Sequence, residues 1–219
     1  MALSKITTES LLDGEITLPK FANLGSDGQV LTSTGGSSPP AFEAAAAGGS
    51  WTLIQSQTAS SSATIDFTSG ITDTYDVYVF VGTELLLNTG GGYDMLFSTN
   101  GGSSYESSGY NWSALTIDTA SHVGAISDSA SFINIDNMEV ASDNLESFQI
   151  YLYYPSNASY RKICHGTVVC MDTGDTTLLT HFAAGHSTTS AINGVRFDAA
   201  GGAATITSGR ISLYGISHS

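Results

Sequence analysis

Five histidines, two cysteines and three arginines are the side chains of this 219-residue sequence with the widest chemical repertoire. The histidines are His122, His165, His181, His186 and His218. A zinc site needs tetrahedral nitrogen and sulfur donors brought to one side of the backbone. His181 and His186 are five residues apart, so on a single strand they face opposite ways. No Cys/His pair combines a ligand spacing with the right strand parity. The expectation is therefore no metal and no cofactor, with one arrangement left open: three copies of one histidine meeting on a trimer axis. Cys164 and Cys170 lie in Arg161 to Met171, which reads as one strand. Six residues at about 3.3 Å each set them roughly 20 Å apart on the same face, whereas a disulfide needs Cα atoms within about 7 Å. Two buried thiols are expected, as suits a chain made in a reducing cytoplasm.

Hydrolytic chemistry is harder to place. A glycoside hydrolase uses two carboxylates that meet only in the fold. Asp94, Glu106, Asp118 and Asp136 are candidates, and turn or strand-edge roles explain them equally well. No nucleophile-elbow pattern occurs, and no glycine-rich stretch precedes a helix as a phosphate loop would. Arg161, Arg196 and Arg210 match in number the arginine grip that sialidases use on a carboxylate. The chain is about half the length a six-bladed propeller needs, and Arg196 and Arg210 read as strand-edge residues of a C-terminal strand pair. The reading is that the chain is not an enzyme.

The aromatic residues offer more. Tyr105, Tyr110 and Trp112 cluster beside a Gly/Ser-rich loop, and Tyr151, Tyr153, Tyr154 and Tyr160 cluster around Pro155. Exposed rings next to Asn and Ser stack on sugar faces while amides bond the hydroxyls. The candidate glycan contacts are Tyr105, Tyr110, Trp112, Tyr151, Tyr153 and Tyr160; a subunit interface or core is the competing use. Ser98, Asn100, Gly102, Ser104 and Tyr105 fit the Asp-box pattern S-x-(D/N)-x-G-x-(S/T)-aromatic. There the amide caps the turn, the glycine takes positive φ and the ring packs the tip. This is a structural turn rather than a catalytic site.

These residues need strands to hold them. Tyr75 to Val81 is β-branched and aromatic, and too short for an ordinary helix. Similar runs are Trp51 to Gln57, Ala63 to Thr68, Tyr93 to Ser98, Ser131 to Asp136, Ser147 to Tyr154, Arg161 to Met171, Thr176 to Ala183, Gly194 to Asp198 and Arg210 to Ile216. In Ser147 to Tyr154, Phe148, Ile150, Leu152 and Tyr154 alternate with Gln149, Tyr151 and Tyr153, giving one buried face and one tyrosine face. Turn chemistry separates the runs at Asn88 to Gly92, Asn100 to Gly102, Pro155 to Asn157, Asp172 to Asp175 and Gly201-Gly202. Nine or ten short strands of this kind predict an all-β, antiparallel, jelly-roll-like sandwich preceded by an extended N-terminal arm.

The arm differs in composition. Of 21 aromatic residues only Phe21 and Phe42 lie in the first 50 positions. Residues 1–34 read as an anchoring and oligomerisation arm, with a short helix over Ser4 to Leu12, a bend at Thr17 to Phe21 and a strand-like run at Gly28 to Ser33. Residues 35–50, rich in Gly, Ser, Ala and Pro, read as linker, and 51–219 as the display domain. The arm lacks the bulk to close a core, so copies of itself or another surface must order it.

Charge narrows the partners. Asp and Glu number 20 against six Lys and Arg, for a net charge of −14. That excludes the basic footprint of a nucleic-acid binder and disfavours an anionic membrane surface. No apolar run approaches the ~20 residues of a spanning helix, and Met1 to Lys5 has no apolar signal core. Charged residues are only 12% of the chain, about half the usual ~25%; hydroxyls and amides replace them, as suits crowded copies on a virion, an extracellular surface or a sugar-facing site.

Two blocks carry a resemblance. Ile192 to Phe197, followed by Ile206 to Ile216, resembles the C-terminal block of bacteriophage fibre and appendage proteins, where a glycine-led strand precedes a final SG-x-I-x-LYGI strand. Gly14 to Phe21, Gly25 to Ser33 and Pro40 to Phe42 are similar to phage fibre N-termini. The resemblance implies a virion protein assembled in host cytoplasm: a homotrimer whose residues 1–34 join other virion proteins of tail or capsid, and whose β module meets host cell-surface polysaccharide. A head-fibre or decoration protein without a receptor role is the first alternative, and a small glycan hydrolase on a β-sandwich the second. No catalytic residues carry over.

Overall fold

The computed structural model describes residues 26, 29–32, 41–44, 51–89, 91–119, 121–135, 145–171, 174–199 and 204–217. The chain divides into two compact units, Met1–Gly49 and Ser50–Ser219. In the first, β1 (Gln29–Thr32) pairs antiparallel with β2 (Ala41–Ala44). β1 is the strand expected there. Within 35–50, Ala41–Ala44 is hydrogen-bonded strand: Phe42 faces Leu31, and Thr32 Oγ1 donates to Glu43 Oε2 at 2.8 Å. The helix and bend expected in the arm lie outside the described residues.

The second unit is all-β and antiparallel. Its strands are β3 (Trp51–Thr58), β4 (Thr64–Phe67), β5 (Val77–Leu87), β6 (Tyr93–Ser98), β7 (Tyr110–Ile117), β8 (His122–Ala130), β9 (Ile133–Asn134), β10 (Glu146–Tyr153), β11 (Lys162–Met171), β12 (Thr177–His186), β13 (Gly194–Ala199) and β14 (Ile206–Ile216). Twelve strands replace the nine or ten expected, because β7 and β8 were not anticipated. β8, HVGAISDSA, mixes Gly, Ala, Ser and Asp into the alternation and carries little β propensity, while in β7, YNWSALTI, Asn111 and Ser113 interrupt the run of Tyr, Trp, Thr and Ile.

Eight strands form one sheet in the order β3-β14-β5-β10-β11-β12-β7-β8, and four form a second in the order β4-β13-β6-β9. The chain alternates between them: β3 large, β4 small, β5 large, β6 small, β9 small, β10 large, β13 small, β14 large. The pairs β7–β8 and β11–β12 extend the large sheet beyond β10. β13 and β14 therefore lie in different sheets, each flanked by two neighbours. The expected C-terminal strand pair is not formed, and Arg196 and Arg210 sit on interior strands.

Aromatic packing joins the layers. Phe197 of β13 stacks on Phe148 of β10 at 5.3 Å and meets Phe80 of β5 edge-on at 5.2 Å; Phe67 of β4 meets Phe80 at 5.3 Å. All four rings belong to one buried cluster spanning both sheets. Strand parity decides the rest. Phe148, Ile150 and Leu152 point in and Gln149, Tyr151 and Tyr153 out, as the alternation predicts, while Tyr154 falls outside β10 and is exposed. Cys164 and Cys170 share the buried face of β11 with no disulfide between them.

Candidate functional site

The Asp-box-like turn follows β6. Ser98 Oγ donates to Asn100 Oδ1 (2.9 Å) and accepts the Gly102 N–H (2.9 Å). Asn100 Oδ1 also accepts the Ser104 N–H, and its Nδ2 donates to Ser104 Oγ at 2.8 Å. Gly101 and Gly102 have φ of 67° and 83°, and a Cβ on Gly102 would lie 2.4 Å from Thr68 Cγ2. Asn193, just before β13, locks the turn by accepting the Gly101 N–H at 2.7 Å. The side chains of Ser98, Asn100 and Ser104 are committed to their own loop.

Tyr105 ends the turn and packs on the outer surface of the small sheet. The Arg196 guanidinium lies 4.1 Å from its ring centroid and forks onto Asp66, with Nε and Nη2 each 2.8 Å from a carboxylate oxygen. Burial, then the Asp66 charge, raises the Tyr105 hydroxyl above its ordinary pKa. Arg196 is thereby spent on an internal pair rather than held out for a ligand. Asp94 and Asp198 face each other on neighbouring strands of the same surface, with Asn134 beside Asp94.

Tyr110 is wholly buried, which removes it from the glycan-contact set. Its hydroxyl accepts the Phe97 N–H at 2.7 Å and donates to the Glu106 carbonyl. Desolvation pushes that hydroxyl far above its ordinary pKa. His186 packs edge-on against it at 4.4 Å; its Nε2 donates to the Ser108 carbonyl while Nδ1 accepts the Thr188 N–H. That pair of bonds places the imidazole proton on Nε2. Trp112, next inward on β7, is half-buried against the core. The loop after β10 is held by Lys162, which is buried and donates to the carbonyls of Asn157, Tyr160 (3.0 Å) and Thr189 (3.5 Å). Desolvation lowers the Lys162 pKa. Tyr160 in this loop is 68% exposed.

The outer surface of the large sheet carries the remaining rings. Trp51 of β3 meets Tyr214 of β14 at 5.7 Å and Tyr151 of β10 edge-on at 6.2 Å. His165 of β11 is stacked between Tyr151 (5.1 Å, 6°) and Tyr153 (5.6 Å, 12°). The tyrosine alternation pointed to Tyr151 and Tyr153; Trp51, Tyr214 and His165 lie on strands distant in sequence, and nothing local marks them as neighbours. His165 covers one face each of Tyr151 and Tyr153, while Trp51 meets its neighbours edge-on or tilted. Beside this row Asn111, Ser113, Ile163, Ala183 and Gly185 line a depression of about 300 Å³. A second depression, of about 450 Å³, lies among Thr58, Thr83, Glu84, Gly209 and Arg210. There Glu84 and Gly209 both take positive φ (54° and 102°) where β5 and β14 shift register.

Catalytic constellations are sparse. Thr167 Oγ1 lies 3.1 Å from His181 Nδ1 on the open face. Asp118 is a turn residue, accepting the N–H and hydroxyl of Ser121. Asp94 is buried, Glu106 closes the loop onto β6, and Asp136 lies outside the described residues. Among the described residues no three His, Cys, Asp or Glu side chains are grouped to hold a metal ion. His181 and His186 face opposite sides of β12, as their spacing requires. His218 lies outside the described residues.

What the geometry defines is a class, an all-β antiparallel sandwich whose large sheet displays a row of aromatic and imidazole rings. No family model, curated protein or solved structure matches the chain.

Proposed function

We propose that this chain is a bacteriophage virion structural protein: a short trimeric fibre or appendage that attaches through residues 1–34 and displays its sandwich for adsorption to host-surface polysaccharide. The winding of eight of the strands supports it. We read β3-β14-β5-β10 opposite β4-β13-β6-β9 as a jelly-roll-like winding. Of the blocks that resemble phage appendages, Ile192 to Phe197 runs into β13 and Ile206 to Ile216 is β14, one interior strand in each layer. The arm fits the same reading: Val30 and Leu31 of β1 are 48% and 55% exposed, apolar surface left for another chain to cover.

A second reading is a head-fibre or decoration protein without a receptor role. Tyr110 is buried, Trp112 is packed on the core, and His165 covers one face each of Tyr151 and Tyr153. Tyr160, 68% exposed, is the candidate ring left most open to a sugar. Electron microscopy of particles labelled with antibody to the sandwich tests the reading. Label on tail or capsid supports a virion protein, and particles without label overturn it. Soluble protein that lowers particle adsorption to host cells favours the receptor role; unchanged adsorption favours decoration. New reducing ends released from host polysaccharide would make the chain a hydrolase and sink both.

A further inference from the structure

Four described non-glycine residues take positive φ, and Glu84 is the one of them that lies within a strand. Its φ of 54° is a left-handed value that glycine or asparagine adopts with less strain than a longer side chain. The cause is local. β5 and β14 shift register between Ile206 and Arg210, and Gly209 there takes a φ of 102°. A Cβ on Gly209 would lie 2.5 Å from the Glu84 backbone oxygen, so β14 must carry glycine at this crossing. Across from it, β5 carries a carboxylate where glycine would be easier. Bulges re-aim side chains, and strain of this kind inside an ordered strand is held where the side chain serves a site.

Glu84 lines the depression of about 450 Å³ with Thr58, Thr83, Gly209 and Arg210. That volume lies within the roughly 300–1,000 Å³ of small-ligand sites. Arg210 stands between Thr58 of β3 and Thr83 of β5, so no carboxylate lies directly opposite it. Among the described residues Asp66–Arg196 is the one ion pair, and neither Glu84 nor Arg210 has an ionic partner. Two opposite charges thus share one open depression without meeting. We infer that this depression binds a sugar acid, a pyranose that bears a carboxylate. Arg210 offers a planar fork that matches a carboxylate. Glu84 only accepts, so it takes sugar hydroxyls as donors, and the two threonine hydroxyls donate or accept. A phosphate would bring a second negative charge against Glu84, and a neutral sugar would leave the Arg210 charge unmatched. The net charge of −14 repels an acidic polymer at long range, but salt screens that repulsion beyond about 8 Å and leaves contact chemistry to decide. The inference names the sugar class for the proposed adsorption role and rests on that reading for the source of the ligand.

The test titrates the full chain with glucuronate, glucose and glucose 6-phosphate, read by saturation-transfer NMR and calorimetry. Glucuronate is expected to bind with a Kd of about 1–10 mM, and the other two at least about tenfold more weakly. Arg210→Gln should weaken glucuronate binding at least about tenfold. Arg210→Lys, which keeps the charge and removes the fork, should fall between that variant and the wild type. Glu84→Asn separates strain from function. It should raise the unfolding midpoint by about 1–4 °C while weakening glucuronate at least about threefold. No saturable glucuronate binding at about 50 mM, equal binding of glucose or glucose 6-phosphate, or undiminished binding by Arg210→Gln overturns the inference. A midpoint that falls in Glu84→Asn shows that Glu84 is kept for the fold, and overturns it too. Failed binding leaves the virion reading intact. Particles without label overturn that reading and leave the sugar-acid site standing.

Discussion

The two outer faces of the sandwich solve opposite problems. The small sheet presents charge and satisfies it. Asp66, Arg196 and Tyr105 form a pair capped by a ring, and Asp94 and Asp198 flank it. The large sheet presents almost no charge beyond β10 and leaves aliphatic side chains in solvent. Within one chain, sharing one core, the small sheet pairs its exposed charge internally while the large-sheet extension leaves aliphatic side chains in solvent.

The largest way to break the comparison is to remove what both faces rest on. Phe197→Ala deletes the ring that stacks on Phe148 and abuts Phe80. It should cost about 3–5 kcal/mol in denaturant unfolding. A loss under about 1 kcal/mol would mean that the sheets do not close on this ring.

Alkaline pH comes next, because it strikes the large sheet's buried side. Burial raises the Cys164 thiol from the ordinary 9.0 to about 12, and Tyr110 shifts in the same direction. Both groups keep their protons in the folded state after the unfolded chain has begun to lose them. Their contribution is therefore intact below pH 9 and falls as pH rises toward 12. The unfolding midpoint should drop over that interval, and Cys164→Ala should flatten the first part of the drop. An identical slope in wild type and variant would refute the assignment to Cys164. The native thiols should also resist alkylation at neutral pH, since the thiolate is the reactive form.

On the small sheet, Arg196→Ala removes the Asp66 fork and the contact over Tyr105. With both side chains of the pair 30% exposed, the cost should be about 1 kcal/mol. The Tyr105 titration should move as well, since Arg196 lowers its pKa and would no longer do so. An unmoved titration would show that the ring does not sense the guanidinium.

The smallest effect sharpens the contrast most. Ile126→Ser on the large-sheet extension changes a side chain 84% exposed. The fold should lose no more than about 0.5 kcal/mol when unfolding is measured at concentrations that keep the chain monomeric. A loss of 2 kcal/mol would mean that Ile126 serves this chain's own packing.

Legibility varied along the chain for physical reasons. β6, β10 and β11 are written in β-branched and aromatic residues with clean alternation, so their existence and inward faces follow from period two alone. β8 is written in Gly, Ala, Ser and Asp, and is held as a strand by its pairing with β7 rather than by its own preference. The Asp-box-like turn was readable because its hydrogen bonds run within seven residues, although the lock from Asn193 was not. Tyr110 looked like a surface ring from its Gly/Ser neighbours, yet β7 is bordered by β12, and parity turns that ring into the core.

The sequence by itself determined an all-β chain, two unbridged thiols on one strand face, opposed histidines on β12 and an aromatic-poor first 50 residues. Each follows from local composition or from the two-residue period of a strand. Only the tertiary structure decided that β14 lies between β3 and β5, that Arg196 reaches Asp66, and that Trp51, Tyr151 and His165 share one row. Such neighbours are set by inter-strand register between segments up to more than 150 residues apart, as at Ser56 and Ser212. Register is fixed by burying all the faces together, which no single segment encodes.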